Sequence, residues 1–218
     1  MAMPRVTVLI SGRGSNLAAI VAAERAGALS AAVTTVISNR PDAAGLAIAA
    51  SHGATTAVVD HRRFTDRDAF DAALAAAIDA GSPDLVVMAG FMRVVGAAFV
   101  ARYAGRMLNI HPSLLPAYPG LHTHRRALAD GVRIHGCTIH LVSADLDRGP
   151  IVAQGAVAVH DDDDEDSLAA RVLAVEHRLL PAAITAFCEG RLVIAGGRVR
   201  VKGGLVPDGS LEVPAPAA

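Results

Sequence analysis

Tryptophan is absent from this 218-residue chain, cysteine occurs twice, and aromatic residues make up only 3% of it. Each scarcity closes a route. So thin an aromatic complement leaves little with which to stack nucleic-acid bases. The lysines and arginines are scattered through a chain of net charge −1 and form no tract that would neutralise a phosphate backbone. Cys137 and Cys188 show no CxxC spacing and offer no framework of pairs. Both fall in stretches that read as strand or helix, where a reduced thiol buries like a small hydrophobe. No apolar run reaches the roughly 18 residues needed to span a bilayer. The opening MAMPRVTVLISG lacks the basic region and long apolar stretch of a secretory leader. A cytoplasmic protein with small-molecule partners is expected, and neither nucleic acid nor membrane; its assembly would be a monomer or a homodimer.

What the chain has in plenty is alanine and valine, within a hydrophobic content of 52%, enough for one α/β domain with a well-buried core. VTVLI at 6–10 is a short β-branched run ending at Gly12, and SNLAAIVAAERAG after it has helical composition. VTTVIS at 33–38 and TTAVVD at 55–60 read as further strands, with DAAGLAIAASHG as the helix between them. In TDRDAFDAALAAAIDAG a Thr65-to-Asp68 capping pattern precedes Phe70, Leu74 and Ile78 at i+4 spacing, an amphipathic helix. PDLVVMAG and MLNI at 107–110 are short strands buried on both faces, with the helix VGAAFVARYAG between them. Past a proline-rich loop and the short helix HTHRRALADG, the strands GCTIHLV and IVAQGAVAVH flank SADLDRGP, a spacing that suits an antiparallel return. The acidic run 161–166 reads as a solvated turn before a long helix, whose dipole it favours. A terminal hairpin turning at Gly196 and Gly197 and a frayed tail, LEVPAPAA, close the chain. The expected architecture is Rossmann-like: a mostly parallel twisted sheet with helices on both faces and an antiparallel C-terminal portion.

Three stretches can carry chemistry. LISGRGSNL offers Gly12 and Gly14 for a tight turn, with Ser15 and Asn16 where the amides of a helix N-terminus point outward. This is an anion cradle or, more plainly, a turn capped by Ser or Asn. Leu17 stands where a dinucleotide fingerprint needs its third glycine, and no Gly-Lys-Ser/Thr follows. In LNIH, Asn109 and His111 sit at the carboxyl end of a strand, on the same sheet edge as the glycine turn. An amide donor beside a proton carrier suits oxyanion chemistry. In SADLDRGP, Asp145 or Asp147 either favours the charged form of an imidazole or only bonds its own turn. No G-x-S-x-G elbow provides a covalent nucleophile. His122 and His124, two apart at the entry to a helix, share no face and find no third ligand at metal spacing, so they are expected to cap or line a pocket.

The motifs LISGRGSNL, VMAGFMRV, LNIHPSLLPAYPGLHTHRRAL, HLVSADLDRGP and AVEHRLLP, in that order between residue 6 and about residue 190, resemble those of the phosphoribosylglycinamide formyltransferase family. The resemblance implies a formyltransferase fold and formyl transfer from 10-formyltetrahydrofolate to the amine of glycinamide ribonucleotide, in purine biosynthesis and without a metal. It further implies that Gly14, Ser15 and Asn16 hold the ribonucleotide phosphate and Glu176 its ribose hydroxyls. The folate pocket would comprise Arg67, Met92, Arg93, Val94, Val95, Asn109, Ser143, Ala144, Asp145, Leu146 and Asp147, with Asn109, His111 and Asp147 catalytic. On this view one domain, 1–218, divides at about residue 105 into a ribonucleotide half and a folate and catalytic half, the latter ending at about 195 before the terminal hairpin and tail. The proline loop would wall one site from the other. Arg13 and Arg148 are the departures, Arg148 following the aspartate where a small residue is common. The nearest alternative on the same catalytic residues is 10-formyltetrahydrofolate hydrolase; the tRNA formyltransferase needs a further basic domain.

Overall fold

The alternation of β-branched runs with alanine-rich segments becomes five strands, β1 (Arg5–Ile10), β2 (Ala32–Ser38), β3 (Thr55–Val58), β4 (Leu85–Met88) and β5 (Met107–His111). They are joined by the helices α1 (Ser15–Arg25), α2 (Gly45–His52), α3 (Arg67–Ala80) and α4 (Ala97–Arg102). The computed structural model describes residues 2–205, so the expected tail lies outside the described residues. Every pairing among β1 to β5 is parallel. After α5 (Thr123–Ala129) come β6 (Ile134–Leu141) and β7 (Ile151–Ala158), both antiparallel to their neighbours, then α6 (Glu165–Cys188) and the separate hairpin β8 (Leu192–Ala195) and β9 (Arg198–Val201). The seven-stranded order is β3-β2-β1-β4-β5-β6-β7. The chain therefore builds outward from β1 on one side, then crosses to build β4 onward on the other. Such a reversal opens a crevice beyond the carboxyl ends of the two central strands, here β1 and β4.

Residues two apart on each strand share a face, and the core splits accordingly. Val6, Val8 and Ile10 of β1, Leu108 and Ile110 of β5, and Cys137, Ile139 and Leu141 of β6 pack with Leu17 and Ile20 of α1 and with Leu168, Val172, Leu180 and Ile184 of α6. Leu9, Val86, Met88 and Met107 pack instead with Phe70, Leu74 and Ile78 of α3 and with Phe99 and Tyr103 of α4. Each such fully buried aliphatic contributes on the order of 1.5–3 kcal/mol. The same alternation puts Asn109 and His111 of β5 on one face with their cross-strand partners His140 and Thr138 of β6.

The local signals hold with three corrections. The cap of α3 is Asp66, which accepts from the Ala69 amide at 2.8 Å, so the expected Thr65-to-Asp68 pattern is off by one residue. A carboxylate bonds an orphan amide more strongly than a hydroxyl does. The third strand stops at Val58 because Asp60 caps a 3-10 turn at His61–Arg63. The acidic run is also more than a solvated turn. Asp164 forms a capping box with Ser167, and Asp163, with a side chain only 3% exposed, pairs with Arg171 at 2.7 Å. Hydrogen bonds from the guanidinium hold the Asp163 carboxyl far below the usual carboxylate range. The terminal hairpin turns at Gly196 and Gly197, with φ of 55° and 73°, the two positive values a two-residue hairpin turn requires. Among the described residues no helix is long and apolar enough to cross a membrane.

Candidate active site

Beyond β1 the chain turns through Gly12, Arg13 and Gly14 into α1. Gly14 occupies the N-cap in a left-handed conformation, φ 77°, and no side chain caps the helix. A β-carbon at Gly14 would stand 2.7 Å from the Gly45 Cα, and one at Gly45 would stand 2.6 Å from the Ile10 side chain and 3.1 Å from the Gly14 Cα. Turn and α2 thus touch backbone to backbone, tied by the Gly45 amide donating to the Gly12 carbonyl at 3.1 Å. The first amides of α1 are left without a capping side chain, an arrangement suited to an anion. Capping by Ser or Asn, the plainer alternative, does not occur. The Asn16 side chain instead donates from Nδ2 to Glu176 Oε2 of α6 at 2.7 Å, while its buried Oδ1 has no partner among the described residues. Burial raises the Glu176 carboxyl above its ordinary pKa, opposed by the Asn16 bond.

The carboxyl ends of β4 and β5 and the turn after β6 border a shallow open cleft. Of the residues expected there, Arg93, Val94, Val95, Asn109, Ser143, Ala144, Leu146 and Asp147 line it, joined by Met88, Val100, His140 and Val142. Met92 is 65% exposed and Asp145 is exposed, both outside the lining. Arg67 opens α3 on the surface, near Asp68 at 4.0 Å. The segment at Met92, just outside the lining, is tethered to the end of β1, since the Met92 amide donates to Ser11 Oγ at 2.7 Å and that hydroxyl donates to Asn39 Oδ1 at 2.5 Å.

Behind the cleft lining, which includes Asp147 but not His111, Asp147 Oδ2 lies 3.5 Å from His111 Nδ1, both side chains more than nine-tenths buried. The other ring nitrogen, Nε2, is 2.9 Å from the Tyr118 carbonyl. Both nitrogens therefore face oxygen atoms, one within hydrogen-bond distance and one at 3.5 Å. Asp147 is in the left-handed region, φ 54°, at a cost of about 1–2 kcal/mol, and Oδ2 also accepts from the Gly120 amide at 2.9 Å. The proline loop thus supplies an oxygen to His111 and an amide to Asp147. Thr138 holds that loop on β6, donating to the Ser113 carbonyl at 2.6 Å and accepting from the Leu115 amide at 2.9 Å.

One residue of this constellation was not expected. His140 lies opposite Asn109 across the β5–β6 pair, and its Nε2 is 3.0 Å from Asn109 Nδ2. The signal lay in HLV, where His140 interrupts an apolar strand just as Asn109 does. His122 and His124, expected to cap or line the pocket, are not in the cleft lining. His122 is exposed in a left-handed conformation, φ 57°, with no capping bond from its side chain, while His124 turns to His135, ring nitrogens 3.2 Å apart. Arg148 is exposed, and among the described residues Asp147 pairs only with His111 and His140.

Residues 4–184 match the Formyl transferase family. The chain is 49% identical over 187 residues to the phosphoribosylglycinamide formyltransferase of Escherichia coli (strain K12), covering 86% of this chain and 88% of that one. The crystal structure of glycinamide ribonucleotide transformylase 1 from Symbiobacterium toebii superposes with a TM-score of 0.89 at 49% identity, over 91% of this chain and 94% of that one. A formyltetrahydrofolate deformylase from Burkholderia mallei is also similar, at 31% identity and a TM-score of 0.83, over 92% of this chain but only 70% of that chain.

Proposed function

The chain belongs to the formyl transferase family, and on that premise we propose that it transfers the formyl group of 10-formyltetrahydrofolate to the amine of glycinamide ribonucleotide, a step of purine biosynthesis. The observation that carries this reading is His111 held between the Tyr118 carbonyl and the Asp147 carboxylate, behind a cleft that Asn109 and Asp147 themselves line. The uncapped start of α1 suits the ribonucleotide phosphate, with Gly14 setting the turn and the Ser15 and Asn16 amides facing the anion. Glu176, steadied by Asn16, takes the ribose hydroxyls. The folate lies along Arg93, Val94, Val95 and the turn Ser143–Asp147, with Arg67 and Met92 toward its outer portion. The proposed division near residue 105 is one of sequence, because Arg93–Val95 wall the folate side and Glu176 the ribonucleotide side.

The amine nitrogen attacks the formyl carbon, a C–N bond forms, and the carbonyl π pair moves to oxygen. The resulting oxyanion takes a hydrogen bond from the Asn109 amide and one from His111 Nδ1–H, which at 3.5 Å from Asp147 is not held in a hydrogen bond there. Collapse breaks the bond to N10 of the folate, the attacking nitrogen loses a proton, and N10 gains one. Asp147, 3.5 Å from the His111 ring, orients the relay of that proton. The test is a formyl-transfer assay on purified protein. Tetrahydrofolate should form only when glycinamide ribonucleotide is present and in equal amount to formylated product. Release that ignores the ribonucleotide would instead identify a hydrolase, with water in place of the amine.

A further inference from the structure

His140 is fully buried, 2% exposed, and three contacts define its state. Its Nδ1 is 3.0 Å from the Leu141 carbonyl, its Nε2 is 3.0 Å from Asn109 Nδ2, and Asp147 Oδ1, at 3.9 Å from Nε2, is beyond hydrogen-bond reach. A carbonyl only accepts, so Nδ1 carries a proton. An amide nitrogen only donates, so Nε2 presents its lone pair. Both demands are met together by the neutral Nδ1–H tautomer. An asparagine amide has two orientations of nearly equal shape, with oxygen and nitrogen exchanged. Only one of them lets Asn109 donate to this lone pair, and that one leaves its second N–H uncommitted.

We propose that His140 is a positioning residue, which locks the Asn109 amide in the orientation that leaves an N–H free for the oxyanion of the formyl-transfer reaction. The lock is set from outside the cleft. A β-carbon at Gly149 would lie 1.7 Å from the Leu141 carbonyl oxygen and 3.3 Å from His140 Nδ1, so the glycine after Arg148 permits the backbone approach that accompanies this bond. Burial pushes the imidazole below its ordinary pKa, in keeping with a ring that stays neutral. Were Nε2 to gain a proton, it would meet the amide N–H head on, and Asn109 would have to present its oxygen to the ring and lose its place as a donor.

The inference rests on the formyl-transfer reading, and the test separates the two. Nitrogen NMR of histidine-labelled wild-type protein should find His140 as the Nδ1–H tautomer near neutral pH; an Nε2–H or doubly protonated ring would overturn the proposal whatever the enzyme does. In the assay, His140→Leu, which keeps bulk but removes the acceptor, should lower kcat about 10- to 100-fold, with KM for both substrates within about threefold of wild type. His140→Gln sets an amide oxygen near the place of Nε2 and should recover most of that loss. Equal damage from Leu and Gln, or a loss confined to KM, would reduce His140 to packing. A wild-type protein with no formyl transfer would refute the function itself, and with it the need for an oxyanion donor at Asn109.

Discussion

At the end of β1 the anion site is made of backbone, whereas at the ends of β5 and β6 the reacting groups are side chains. The first is defined by what it excludes: Gly14 and Gly45 approach so closely that a β-carbon on either has no room. The second is defined by chemical identity, with a carboxylate, an imidazole and an amide held at 2.9–3.5 Å from their partners. A backbone site fails when a substituent is too large. A side-chain site fails when a substituent of the right size carries the wrong proton.

That contrast is broken most severely behind the cleft. Asp147→Asn keeps the shape and removes the charge opposite His111, and turnover should fall about 1,000-fold or more, as should that of His111→Ala. Calorimetry should find the ribonucleotide bound by both variants within about threefold of wild type. Lost binding with preserved turnover would overturn the division of labour between the two regions.

At the glycine turn the pattern should invert. Gly14→Ala introduces a methyl group where the Gly45 Cα stands at 2.7 Å, on a residue that also pays for its left-handed conformation. Urea unfolding should show a loss of about 1–3 kcal/mol. Ribonucleotide affinity should fall about 100-fold, while kcat at saturating substrate stays near wild type. A fall in kcat alone would mean that the turn belongs to the catalytic machinery.

The mildest effect is expected where the two kinds of site meet, at Glu176. Burial raises its folded-state pKa above the unfolded value, so ionising it favours the unfolded chain. The stability this group lends is present below the unfolded carboxylate pKa and is lost as pH rises toward the raised folded value. Glu176→Gln keeps an acceptor for Asn16 without the charge. The unliganded variant should therefore melt above wild type at neutral pH, and the two curves should converge below about pH 4. Its ribonucleotide affinity should fall about tenfold. A variant that melts below wild type at neutral pH would show the carboxylate to be stabilising in place.

Much of this was legible in residue order. The alternation of β-branched and alanine-rich runs announced a parallel sheet because crossover helices cover both its faces. Asn109 and His111 could be placed at a sheet edge because a strand with polar residues two apart presents them on one side. Asp66, by contrast, displaces the expected cap by one residue, and Asp60 caps a 3-10 turn that ends the strand two residues early. His140 was overlooked for a physical reason: its partner Asn109 is 31 positions away, and nothing in HLV states which strand will lie opposite it. His122 and His124, expected at a pocket because their spacing suits no metal, do not line the cleft: His122 takes a left-handed turn and His124 faces His135.

The order of residues settled the periodicities, the glycine turn and the inventory of proton carriers, because these depend on neighbours within a few positions. Packing settled the rest. The surroundings of the His111 ring depend on a carbonyl seven residues on and a carboxylate from another loop, and the tautomer of His140 on an amide from the adjacent strand. A proton goes where acceptors converge, and that convergence exists only once strands β5 and β6 and the two loops beyond them are assembled.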